Sequence, residues 1–217
     1  MKGGNGFLTD WPHSGRQLLL RDVRAASHEH STLNDVVELA QIATKVIHAF
    51  LDDFTEEEIS SSVNQAYDSK FDTEEIVPLH KIEDAYLMEL YHGPTSAFKD
   101  IALTLLPHLL IQSYNKENRH DTISILTATS GDTGKAALSG FADVKHTAIT
   151  VFYPEVGVSQ VQKKQMQTST GDNVEVIAVR GNFDDCQRIV KQATQNKKVL
   201  DSLDGVSISS ANSSCDR

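Results

Sequence analysis

The 217-residue sequence predicts an α/β fold in which an N-terminal helical region is followed by a parallel β-sheet with helices on both faces. Two observations carry this. From residue 122 onward, short β-prone runs alternate with helical periodicities, and the right-handed crossover rule makes the strands of such a repeated β-α unit parallel, with helices against the sheet. Before residue 85 the apolar spacing is helical instead. The expected division is a mainly helical region over 1–85, a strand and a lysine-bearing helix over 86–120, and a small α/β unit with four parallel strands over 121–217.

Residues 1–30 carry glycines, a Trp11-Pro12 turn and scattered charges, and only Arg16 to Val23 suggests order. A helix is expected from Leu33 to Leu51, capped by Ser31 or Thr32, with Leu39, Ala43, Val46, Ile47 and Phe50 on its apolar face. Thr55 and Glu58 have capping-box spacing for a second helix that ends near Ala66 or Tyr67. The cluster Glu56-Glu57-Glu58 reads as first-turn complement to the helix dipole rather than as a metal site. Ala85 to Tyr91 reads as a strand. Ala97 to Ser113 reads as a helix capped by Thr95 or Ser96, with Pro107 expected to kink or break it. Strands follow near 122–128, 148–153, 174–179 and 206–209, separated by helices near 133–142, 158–169 and 183–196.

The strand-to-helix junction at 91–100 places Lys99 in the first turn of an apolar helix after a Gly93-Pro94 break. Partial burial and the positive end of the helix dipole both disfavour an ammonium there. They favour the neutral nucleophile that attacks carbonyls and forms Schiff bases. The bland alternative is a solvated lysine snorkelling off a helix start.

A second junction, Thr127-Ala128-Thr129-Ser130-Gly131-Asp132-Thr133-Gly134-Lys135, joins a buried-type strand to a helix through a small polar loop whose backbone N–H groups suit an anion. It is not a nucleotide P-loop. Only Asp132 and Thr133 separate the glycines before Lys135, and Ala136 stands where a Mg²⁺-binding hydroxyl is needed. A carboxylate or small phosphoester is the better guest, and ligands of such sheets gather beyond the carboxyl ends of the strands, where Ser130 to Thr133 and Asn212 fall.

With both junctions in view, the chain resembles threonine synthase. That family has its pyridoxal-phosphate lysine in a His-Gly-Pro-Thr-x-Ala-Phe-Lys-Asp motif, followed by Thr-Ala-Thr-Ser-Gly-Asp-Thr-Gly; both stand here, at 92–100 and 127–134. The likeness extends through Phe152-Tyr153-Pro154, Ser159 with Gln162, Gly181 to Gln187, and Ser209 to Ser213. It implies a fold type II enzyme in which Lys99 binds pyridoxal 5'-phosphate as a Schiff base and later acts as a base. The implied reaction converts O-phosphohomoserine and water to threonine and phosphate. By the same resemblance Ser130, Gly131, Thr133 and Asn212 would bind substrate, while Asp132 and Asn212 would face the cofactor. Asp132 is an odd companion for an anion. His92 is expected to orient the Gly-Pro turn rather than to serve as acid or base.

Members of that family are longer at both ends, so the resemblance also implies an incomplete chain of weak or no activity. Two other readings are another fold type II lyase or phospholyase, which would keep Lys99 and change the substrate, and a non-catalytic fragment. A net charge of −10, with no basic block, excludes nucleic acid or an anionic membrane as the main partner. A composition of 39% hydrophobic and 23% charged residues is that of a soluble globular protein. With no apolar run of bilayer length and no signal-like start, the chain reads as cytoplasmic. Cys186 and Cys215 read as free thiols, no metal site is expected, and the substrate phosphate has Lys135, Lys163 and Lys164 as unranked candidate partners. Nothing in the pattern fixes an oligomeric state.

Overall fold

Apolar spacing folds Val36–His48 into α1, whose Leu39, Ala40, Ala43 and Ile47 pack inward. The structure is a computed structural model that describes residues 36–196, 198 and 206–210. The expected order near 16–23, the Ser31 or Thr32 cap and the helix start at Leu33 lie outside the described residues. At its other end α1 stops at His48, short of Leu51, and Phe50 is half-exposed in the following turn rather than on the apolar face.

Helix α2, Glu56–Ala66, starts as its capping box predicts: Thr55 Oγ1 accepts from the Glu58 N–H at 3.2 Å, and Glu58 Oε2 accepts from the Thr55 N–H at 2.8 Å. The acidic cluster is therefore its first turn. Glu58 also accepts from Lys116 Nζ at 2.8 Å. Lys116 and the Thr55 cap together hold the Glu58 carboxyl below its ordinary range.

The run at 85–91 departs from expectation. Only Ala85–Met88 forms a strand, β2, and it pairs antiparallel with an unpredicted β1, Leu79–Ile82, in a two-stranded hairpin outside the main sheet. Glu83, in the turn, adopts φ 52° with no glycine or asparagine to announce it. Helix α3 is also displaced, spanning Asp100–Lys116 rather than beginning at Ala97.

Pro107 neither breaks nor ends α3. It removes the N–H that would meet the Leu103 carbonyl, and Gly140 crosses at that carbonyl so closely that a Cβ there would lie 2.0 Å from the oxygen. The lost helix bond thus coincides with a close backbone approach between α3 and α4, Asp132–Phe141.

The β-α alternation forms as predicted: β3 (Thr122–Ala128), β4 (Thr147–Pro154), α5 (Gln160–Gln167), β5 (Val174–Val179), α6 (Phe183–Gln195) and β6 (Val206–Ser210). The four strands make one parallel sheet in the order β5-β4-β3-β6, with Leu126 opposite Thr150 and Ser210. Strand alternation sends Ile123 and Ile125 to one face, where Phe141, Leu138 and Leu103 close over them, and Leu126 and Ala128 to the other, against Cys186 and Val190 of α6. A third cluster lies apart from the sheet, where Phe54, Ile59, Val63 and Tyr67 pack on Leu105 and Ile101 of α3.

Candidate active site

Strand β3 delivers Thr129 to the carboxyl edge of the sheet, and its hydroxyl organises the loop that follows. Thr129 Oγ1 accepts from the N–H groups of Gly131 and Gly134, each at 2.9 Å. The Gly131 amide is therefore bonded within the loop, where the sequence had it presented to an anion. Gly131 itself sits at φ 152°, and any Cβ would lie 2.5 Å from the Gln162 side chain. Helix α4 begins at Asp132, so the amides of Asp132 and Thr133 belong to the first turn, whose N–H groups lack intrahelical acceptors. Ser130 is exposed at the mouth of the loop.

The lysine turn is shaped from behind by Asp100. Its buried carboxylate accepts from the Thr95 N–H at 2.8 Å, from the Thr95 hydroxyl at 2.5 Å and from the Ala97 N–H at 3.4 Å. Thr95 and Ser96 thus do not cap α3: Thr95 is a donor to Asp100, and Ser96 takes a left-handed φ of 56°. Gly93 leaves room for that carboxylate, which a Cβ would meet at 2.5 Å. Lys99 becomes the residue flanking the helix start, half-buried, and its Nζ donates to Thr133 Oγ1 at 2.6 Å.

Three predicted residues therefore converge, since Lys99 reaches Thr133 and Asp132 begins the same turn. Asn212 lies outside the described residues. The Asp132 carboxylate is engaged through Oδ1, which accepts from Gln162 Nε2 at 2.8 Å and lies 3.4 Å from Lys135 Nζ. The Gln162 hydrogen bond, more than the lysine charge, lowers its pKa. Gln162 is steadied by Ser159, which caps α5.

His92 sits between two carboxylates, with Nδ1 2.5 Å from Asp72 Oδ1 and Nε2 2.8 Å from Glu89 Oε2. Those contacts, Glu89 first, raise its pKa. These contacts tie the residue before Gly93 to Asp72 and Glu89. Of the lysines considered for a substrate phosphate, Lys135 is buried and donates to the Thr95 carbonyl at 3.1 Å. A groove of about 750 Å³ between α1 and α2 contains none of these residues.

Sequence reasoning missed Asp100, Thr129 and the engagement of Lys135. The contacts of Asp100 with Thr95, Thr129 with Gly134 and Lys135 with Thr95 span five, five and 40 positions, outside any local capping pattern.

The pyridoxal-phosphate dependent enzyme family matches residues 72–209, more than half of the chain. The chain belongs to that family. Within it, the chain is similar to threonine synthase from Buchnera aphidicola (subspecies Acyrthosiphon pisum), 35% identical over 172 residues, which cover 79% of this chain and 38% of that protein. Threonine synthase from Pseudomonas aeruginosa is 42% identical over 138 residues, 63% of this chain and 29% of that one. A crystal structure of pyridoxal-phosphate-bound threonine synthase from Brucella melitensis superposes with a TM-score of 0.70 at 34% identity, covering 80% of this chain and 37% of its own. The chain thus spans well under half the length of the relatives it matches. As a pyridoxal-phosphate family member it has a fitting donor set for the aldehyde end of the cofactor: a half-buried primary amine, a hydroxyl bonded to it, and the N-terminus of α4. Among the described residues no helix is long and apolar enough to cross a membrane, and no group of ligating side chains could hold a metal ion.

Proposed function

We propose that the chain carries the lysine-bearing portion of a threonine synthase, which converts O-phosphohomoserine and water to threonine and phosphate. The observation that carries this is the bond from Lys99 Nζ to Thr133 Oγ1, which joins the two motifs in a chain similar to threonine synthases. When bound, pyridoxal phosphate supplies an electron sink for charge developing on substrate carbon. Lys99 supplies the amine that anchors it and, when free, moves protons at Cα and Cβ of the substrate. The Thr133 hydroxyl accepts from that amine and fixes where it points. The first turn of α4, with the Ser130 and Thr133 hydroxyls, receives the substrate carboxylate, and Asn212 would contact the substrate or the cofactor phosphate. Asp132 uses Oδ1 for Gln162 and Lys135, and its carboxylate would lie beside the cofactor ring. Loss of the γ-phosphate and addition of water at Cβ complete the conversion.

The division into 1–85, 86–120 and 121–217 belongs to the same reading: the apolar cluster of α1 and α2 is separate from the two clusters of the sheet, although it takes in Ile101 and Leu105 of α3 and the β1–β2 hairpin crosses the boundary at 85. Small-molecule rather than nucleic-acid or membrane partners are supported by the net charge of −10, and a cytoplasmic setting belongs to the same reading. The test is to add pyridoxal phosphate to the purified chain, follow the absorbance of the lysine adduct, reduce with borohydride and map the label by peptide mass. Label on Lys99 and its loss in Lys99→Ala support the reading. A folded chain with label scattered over surface lysines overturns it.

A further inference from the structure

Lys135 is 8% exposed, and its side chain runs from the first turn of α4 back to the lysine turn. There it donates to the Thr95 carbonyl at 3.1 Å and lies 3.4 Å from Asp132 Oδ1. Lys99 crosses in the opposite direction, from the lysine turn to Thr133. Two lysines therefore cross-link the same pair of segments. The Asp132 carboxylate senses both, since each lysine charge contributes to lowering its pKa, behind the Gln162 hydrogen bond.

We infer that Lys135 is a positioning residue, whose ammonium ties Thr95 to Asp132 and offsets the carboxylate charge, so that the space beside Lys99 accepts an anion. This rests on the reading of Lys99 as the reactive amine. It resolves the awkward presence of a carboxylate in an anion-facing loop: the charge is already paired with an almost fully buried cation, and its orientation is fixed by Gln162. It also removes Lys135 from direct phosphate contact, because its ammonium is already engaged by Thr95 and Asp132. A lysine that merely filled space or tied Thr95 would not make the charge at position 132 matter.

The experiment compares reductive alkylation of Lys99 by an anionic aldehyde, glyoxylate, and a neutral one, formaldehyde, with cyanoborohydride and peptide mass mapping on the full 217-residue chain. In Lys135→Met the glyoxylate-to-formaldehyde ratio at Lys99 should fall about fivefold, the effect of one uncompensated charge at short range. Adding Asp132→Asn should return the ratio to within about twofold of the original chain, and Lys135→Arg should preserve it. An unchanged ratio in Lys135→Met, or a ratio that stays low in the double variant, overturns the inference. Should Lys135→Met fail to fold, Asp132→Asn alone should raise the ratio, and no rise overturns the inference equally. Failure of pyridoxal phosphate to label Lys99 in the unaltered chain would count against the proposed function and leave this ratio to be judged independently.

Discussion

At 1% exposure, the Asp100 carboxylate holds two donors of Thr95 and the Ala97 N–H, and in doing so it moves the start of α3 past Lys99. The sequence suggests Thr95 or Ser96 as the cap because hydroxyls favour helix starts. A carboxylate reaching back five residues follows no local capping spacing, so it is visible only in three dimensions. Asp100→Asn turns one acceptor into a donor facing N–H groups, and we predict a loss of about 2 kcal/mol in urea unfolding together with weaker labelling of Lys99. An unchanged midpoint would contradict that role. The neighbouring anchor gives a pH prediction. His92 faces Asp72 and Glu89, with His80 3.7 Å from the same Glu89 oxygen and the Tyr91 ring packed on the imidazole at 4.5 Å. Its pKa is raised in the folded chain, chiefly by the Glu89 hydrogen bond, so the anchor's contribution is complete below about 6.5, the ordinary histidine value. It is lost as pH rises through the folded value. Amide protection factors for 93–97 should therefore decline as the solution is made alkaline, and His92→Gln should abolish that dependence. An identical profile in the variant would show that His92 is not the titrating anchor.

The β-α alternation was legible because the central strands β3 and β4 are largely buried and read as short apolar runs, whereas the capping box of Asn182 and Asp185 that starts α6, at 2.9 and 3.0 Å, came only with the structure. The β1–β2 hairpin was not legible. Its strands are four residues each, almost wholly exposed, and they turn at Glu83 without the glycine that left-handed backbone favours. Sequence periodicity reports burial, and this hairpin buries little. The α3–α4 crossing was equally hidden, since Pro107 and Gly140 are 33 positions apart and each alone suggests a helix defect. Together they allow the Leu103 carbonyl to approach Gly140. Gly140→Ala should force the helices apart at a cost of about 1–3 kcal/mol, and it should weaken the Lys99–Thr133 contact because those residues head the two helices. Urea unfolding and Lys99 labelling read the two effects, and normal values for both would mean that the crossing relaxes freely.

Across the whole described chain, α3 is the element shared by otherwise separate cores. Leu103 closes over the sheet with Phe141 and Ile149, whereas Leu105, two residues on, packs with Phe54, Ile59 and Val63. The Tyr67 hydroxyl adds a second tie by donating to the Ile101 carbonyl at 3.1 Å, and burial raises its pKa to about 12. The Lys116–Glu58 pair adds a third, but it is partly solvated, and such pairs contribute little. Coupling must therefore run through α3 and its apolar faces. Leu105→Ala removes a buried side chain from the α1–α2 cluster and should cost about 2–5 kcal/mol. If α3 transmits that loss, hydrogen exchange of β3 amides at 123–127 should accelerate along with amides at 59–66, and Lys99 labelling should weaken although no site residue was changed. Acceleration confined to α1 and α2, with β3 protection and Lys99 labelling intact, would mean that the helical unit opens by itself and leaves the lysine turn supported by Asp100 and the sheet alone.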